Sequence, residues 1–128
     1  MKPSILYLDD DTACLTVFRD MFSGNYDVRI ASTHAEARAQ LAERPADIII
    51  SDQHMPEMEG MEFLREVAAA YPQSFRIMLT GELMIGHVIN EVSTGVVHLF
   101  TTKPFDEPAI QEMLERASFE RYKRGVSS

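Results

Sequence analysis

The chain has 128 residues, 45% hydrophobic and 25% charged, with a formal net charge of −8 and a pI near 4.9. That length suits one compact domain, and the composition is too apolar for a disordered chain. The acidity argues against direct nucleic-acid binding, no apolar run approaches the ~20 residues of a membrane span, and Met1-Lys2-Pro3-Ser4 leads into a strand rather than a signal peptide.

Ile5-Leu6-Tyr7-Leu8 is an apolar run stopped by Asp9-Asp10-Asp11, and it predicts a buried first strand. From about Thr12 to Phe22 a helical face carries Leu15, Phe18, Met21 and Phe22. Cys14 falls within this helix. As a single cysteine it forms no internal disulfide, which points to a reducing cytoplasm. Ser23-Gly24-Asn25 breaks the pattern before a second strand over Tyr26 to Ile30. Thr33-His34-Ala35-Glu36 fits a capping box, and an Ala-rich helix follows to about Glu43. Asp47 to Ser51 holds Ile48-Ile49-Ile50 without alternation, as a strand covered on both faces requires. Beyond the turn-rich stretch Asp52 to Gly60, Met61, Phe63, Leu64 and Val67 carry a helix ending near Tyr71-Pro72. Arg76 to Leu79 is the fourth strand. A stripe over 83–92 predicts a helix that Gly86 weakens by ~1 kcal/mol. Val96 to Thr101 is the fifth strand, and a last helix runs from Glu107 to about Lys123 with Ile110, Met113, Leu114 and Ala117 inward.

Five strands alternating with five helices through short connections predict right-handed crossovers and a doubly wound parallel α/β sheet. In such sheets the site lies beyond the carboxyl ends of the strands. The residues there are Asp9, Asp10 and Asp11 after the first strand, Asp52 after the third, Thr80-Gly81 after the fourth and Thr102-Lys103-Pro104 after the fifth. Carboxylates converging to ~4 Å repel by ~4 kcal/mol per pair at an effective dielectric near 20. Such a cluster must be protonated, paired with a cation, or bound to a metal. Oxygen-only donors favour a hard divalent ion, foremost Mg²⁺. Together with Lys103, the Thr80 hydroxyl and the Gly81 amide, they are the parts that stabilise a phosphoryl group during in-line transfer. Asp52 stands alone and is the best nucleophile candidate, leaving the acidic pair to hold metal.

Leu8-Asp9-Asp10-Asp11, Ser51-Asp52 through Met55-Pro56-Glu57-Met58-Glu59-Gly60, Met78-Leu79-Thr80-Gly81-Glu82 and Thr102-Lys103-Pro104-Phe105 resemble, in order and spacing, the motifs of CheY-like response regulator receiver domains. The resemblance spans essentially the whole chain. It implies a flavodoxin-like sheet of strand order 2-1-3-4-5 and Mg²⁺-dependent transfer of a phosphoryl group to Asp52. The donor would be a sensor histidine kinase, a phosphotransfer protein or a small phosphodonor. Asp9, Asp10, Asp52 and the His54 backbone carbonyl would hold Mg²⁺, with Mn²⁺ an alternative. Thr80, Gly81 and Lys103 would bind the phosphoryl group, and Phe100 matches the aromatic switch position. The Lys103–Pro104 bond would be cis, and His54 and Glu82 would modulate dephosphorylation. The phosphorylated face, made by the fourth predicted helix, the fifth strand and the last helix, would meet an output domain, a target protein or a second copy. On this reading the chain is a cytoplasmic switch rather than an enzyme.

Plainer roles compete at several positions. Asp11 suits a helix start, and Thr12 a cap. His34, His87 and His98 are scattered without ligand spacing, Cys14 defaults to a small buried hydrophobe, and Arg121-Lys123-Arg124 complements a helix dipole. Asp9-Asp10-Asp11-Thr12 also looks partly like the start of a haloacid-dehalogenase-like phosphatase with Asp9 as nucleophile, but Ala13 departs from that motif and Asp52 is left without a role. A phosphate-independent pseudo-receiver is the third alternative. The expected domain covers 1–124, with 125–128 a short tail or the start of a linker to an output domain.

Overall fold

Ile48, Ile49 and Ile50 are all fully buried, and adjacent strand residues point to opposite faces, so the sheet must be covered on both sides. The computed structural model describes residues 2–53, 55–80, 95–103 and 106–123. In chain order it forms β1 (Ser4–Leu8), α1 (Thr12–Phe22), β2 (Asp27–Ala31), α2 (His34–Glu43), β3 (Ile48–Asp52), α3 (Gly60–Ala70), β4 (Phe75–Thr80), β5 (Leu99–Thr102) and the last helix, here α4 (Glu107–Lys123). The helix expected over 83–92, and His87 with it, lie outside the described residues. The five strands pair in parallel in the order β2-β1-β3-β4-β5, the doubly wound arrangement expected from the sequence.

The period of two sorts the core into two layers. Ile5, Tyr7, Ile48, Ile50, Ile77 and Leu79 pack with Leu15, Phe18 and Phe22 of α1 and with Ile110, Leu114 and Ala117 of α4. Leu6, Leu8, Ile49 and Met78 face the other way, against Ala37 and Leu41 of α2 and Met61, Phe63, Leu64 and Val67 of α3. Asp11 caps α1 by accepting hydrogen bonds from the Ala13 and Cys14 amides at 3.0 and 3.3 Å. At α2 the Thr33 hydroxyl accepts from the Glu36 amide at 3.1 Å, while Glu36 reaches back to the Ser32 amide at 2.9 Å, one residue beyond the usual box.

β5 starts at Leu99 rather than Val96, for a reason that lies in Arg76. This buried guanidinium donates to the Val96 carbonyl at 2.6 Å and the Gly95 carbonyl at 3.2 Å. Arg76 also donates to the Ser74 carbonyl at 2.8 Å. The carbonyls of 95 and 96 are thus drawn to a side chain before the ladder begins. His98 and His34 have packing roles. His98 stacks on Phe75 at 4.5 Å and accepts from the Arg76 amide through Nδ1 at 3.0 Å. His34 sits edge-on to Phe63 at 5.3 Å, and its buried Nε2 has no hydrogen-bond partner among the described residues.

Two predictions come from this packing. A Cβ added at Gly60 would lie 2.1 Å from the Asp52 carbonyl oxygen, a backbone atom with little room to yield. Gly60→Ala is expected to lower urea-unfolding stability by about 1–3 kcal/mol, the usual range for overpacking. Burial, reinforced by the Arg38 charge, holds the His34 imidazole below its ordinary value of 6.5. The unfolded chain therefore takes up that proton at higher pH than the folded one. The stability held by neutral His34 is fully present above about pH 6.5 and is lost as the pH falls below it. Urea titrations at pH 7 and pH 5 should show a smaller loss in His34→Leu than in the wild type.

Candidate functional site

The ends of β1, β3 and β5 bring charged side chains to one edge of the sheet. Asp9 and Asp10 follow β1, Asp52 closes β3 (one residue inside the strand rather than beyond it), and Lys103 follows β5. One carboxylate oxygen each from Asp9, Asp10 and Asp52 lies within 4.8 Å of the others. Asp9 and Asp52 are buried, while Asp10 is exposed. The Lys103 Nζ lies 2.5 Å from Asp9 Oδ2 and 3.4 Å from Asp52 Oδ2. Burial opposes the Lys103 charge, but the bond to Asp9 and the charges of Asp9 and Asp52 outweigh it and hold the ammonium above its ordinary pKa.

Three carboxylates and one ammonium carry a formal charge of −2 at this edge. Hard oxygen donors with that residual charge, one of them open to water, match a divalent cation such as Mg²⁺ that keeps part of its hydration. The donor chemistry thus fits the metal expected from the sequence.

Asp9 is held by three donors. Oδ2 accepts from the Tyr7 hydroxyl at 2.5 Å as well as from Lys103, and Oδ1 accepts from the Asp11 amide at 2.9 Å. Burial, followed by the bond to Asp9, pushes the Tyr7 hydroxyl well above its ordinary pKa, so it remains a donor. Both oxygens of Asp9 are thus committed to donors.

The backbone directly after Asp52 is anchored by Gln53. This fully buried residue continues the sheet through its amide, which donates to the Leu79 carbonyl at 2.9 Å. Its carbonyl accepts from the Gly60 amide at 2.9 Å. The side-chain oxygen of Gln53 accepts from the Met61 amide, also at 2.9 Å. Glu59, at the N-cap, makes no side-chain cap bond, so a glutamine remote in sequence closes the start of α3. The Ser51 hydroxyl donates to the Asp52 carbonyl at 3.0 Å.

The structure therefore brings Asp9, Asp10, Asp52 and Lys103 together as anticipated. Thr80 ends β4 opposite Thr102, on the same edge. Phe100, on β5, is 39% exposed. His54, Gly81, Glu82 and Pro104, with the expected cis bond, lie outside the described residues. Asp11 is a cap, as its plainer reading held. Cys14 is only half-buried. Burial and the adjoining Asp11 push its thiol up to about 11, which leaves it protonated and inert. Tyr7 and Gln53 were not singled out in the sequence. The signal for Tyr7 was its spacing from Asp9, since residues two apart on a strand share a face.

A family model described as a response regulator receiver domain matches residues 5–115. The hydrogenase transcriptional regulatory protein HoxA of Cupriavidus necator is 31% identical over 104 residues, covering 81% of this chain and 22% of that protein. The transcriptional regulatory protein GlrR of Escherichia coli K12 is 32% identical over 118 residues, 91% of this chain and 26% of its own length. The chain thus spans about a quarter of the length of these curated relatives. Among solved structures, the CheY-like receiver domain protein of Methanospirillum hungatei superimposes with a TM-score of 0.89 at 26% identity, covering 97% of this chain and 99% of that one. The signal receiver domain of an HD domain-containing protein from Pseudomonas fluorescens gives 0.89 at 27%, covering 96% and 99%. The phosphatase and pseudo-receiver alternatives are not favoured by these matches. With its sheet order, its edge of three carboxylates and one lysine, and a family match across most of its length, this chain belongs to the response regulator receiver domains.

Proposed function

We propose that Asp52 is the phosphoacceptor of this receiver and that the acidic edge loads it with the help of Mg²⁺. The observation that carries this reading is the position of Lys103 between Asp9 and Asp52, 2.5 and 3.4 Å from their carboxylates. An Asp52 oxygen attacks the phosphorus of the donor. The new O–P bond forms as the bond to the leaving group breaks, and that electron pair departs with the histidine imidazole of a kinase or phosphotransfer protein, or with the acetate of a small phosphodonor. A bound Mg²⁺ would neutralise charge on the transferred group, held by Asp9, Asp10, Asp52 and the His54 carbonyl; Mn²⁺ is an alternative. Lys103 offers its ammonium to a phosphoryl oxygen, the Thr80 hydroxyl and Gly81 amide to others.

Phosphorylation adds negative charge at an edge that is already acidic, and new bonds to Lys103 and Thr80 accommodate it. The resulting movement would reach Phe100 and the face of β5, α4 and the segment before β5. That face would engage an output domain, a target protein or a second copy. The domain then assists its own phosphorylation and hydrolysis, and its product is a binding event. His54 and Glu82 would set the phosphate's lifetime. We assign the receiver to 1–124 and read 125–128 as a tail or the start of a linker. Among the described residues no helix is long and apolar enough to cross a membrane.

Incubation with acetyl phosphate and Mg²⁺, followed by intact mass spectrometry, should give a single phosphate adduct on the wild type and none on Asp52→Asn. Removing Mg²⁺ with EDTA should reduce labelling at least tenfold. Labelling that persists in Asp52→Asn would mean that the nucleophile is another residue.

A further inference from the structure

Tyr7 lies in the core layer with α1, its ring 4.7 Å from that of Phe18. Its side chain is fully buried, and an apolar residue would satisfy that packing. Instead it carries a hydroxyl to Asp9 Oδ2, at 2.5 Å. Lys103 donates to the same oxygen, and the Asp11 amide holds Oδ1. These three donors come from β1, from the turn into α1 and from the residue just after β5. Only Tyr7 approaches from inside the core, where no water competes for the bond. A carboxylate held on one side by the main chain and on the other by a core hydroxyl has one orientation to offer the cluster. Donors behind an acidic group commonly set a metal site's geometry in this way.

We propose that Tyr7 is a positioning residue for the metal site, acting through Asp9. Its hydroxyl holds the Asp9 carboxylate in place beside Asp10, Asp52 and Lys103, so that Asp9 would take part in holding the metal without first rotating. This inference rests on the reading of the acidic edge as a Mg²⁺ site. Without the hydroxyl, Asp9 follows Lys103, and Mg²⁺ must reorder the carboxylate when it binds.

The test is a MgCl₂ titration of the isotopically labelled protein, followed by amide shifts in two-dimensional NMR, for the wild type, Tyr7→Phe, Asp9→Asn and the double variant. Phenylalanine keeps the ring and its contact with Phe18, and the NMR spectrum with thermal unfolding verifies the fold of each variant. The expected result is a Mg²⁺ dissociation constant raised roughly tenfold in Tyr7→Phe, with no further rise when Tyr7→Phe is added to Asp9→Asn. A purely structural role for Tyr7 would act equally in both backgrounds. Unchanged affinity in Tyr7→Phe, or an undiminished effect in the Asp9→Asn background, would overturn the inference while leaving the metal site intact. A wild type that takes up no Mg²⁺ would overturn the metal reading and this inference together.

Discussion

The ammonium of Lys103, set between the buried carboxylates of Asp9 and Asp52, is the interaction on which the site depends. Like charges brought this close in a protein repel by several kcal/mol, and removing a carboxylate from water costs more still. One cation cannot balance three anions. It holds the cluster together with a deficit of positive charge, and that deficit suits a divalent ion.

The rest of the fold serves that arrangement. Lys103 is more than 90 residues from Asp9 in sequence, and they meet because a parallel sheet puts the ends of β1, β3 and β5 on the same edge. The core layers fix the strands that carry the charges. Gln53, directly after Asp52, ties the start of α3 to the end of β3, and Gly60 lets that helix approach the Asp52 carbonyl without a Cβ in the way. The stiffness of this support leaves adjustment to side chains at the edge, where Lys103 already has two partners to choose between.

Much of this was legible in the sequence because it rests on short-range patterns. The isoleucine run at 48–50 could be read as a strand buried on both sides, and strand-end acids could be read as a cluster once the sheet was parallel. Asp11 and Thr33 announced their helices by residue type and spacing. What could not be read depended on tertiary hydrogen bonds. Arg76 looked like an ordinary strand residue, yet its buried guanidinium gathers the carbonyls of 95 and 96 and delays β5 by three residues. Gln53 caps a helix that begins seven residues later, beyond the reach of any local capping pattern. Tyr7 read as an apolar strand residue, since alternation predicts which face a side chain takes and not whether its hydroxyl finds a partner there.

The most direct measurement is a structure of the protein with Mg²⁺ and beryllofluoride, which imitates a phosphoryl group on a carboxylate. Beryllium bonded to an Asp52 oxygen, Mg²⁺ held among Asp9, Asp10 and Asp52, and Lys103 shifted onto a fluorine are the expected result. Beryllofluoride on Asp9, or an empty Asp52 with Lys103 still 2.5 Å from Asp9 at saturating reagent, would contradict Asp52 as the acceptor.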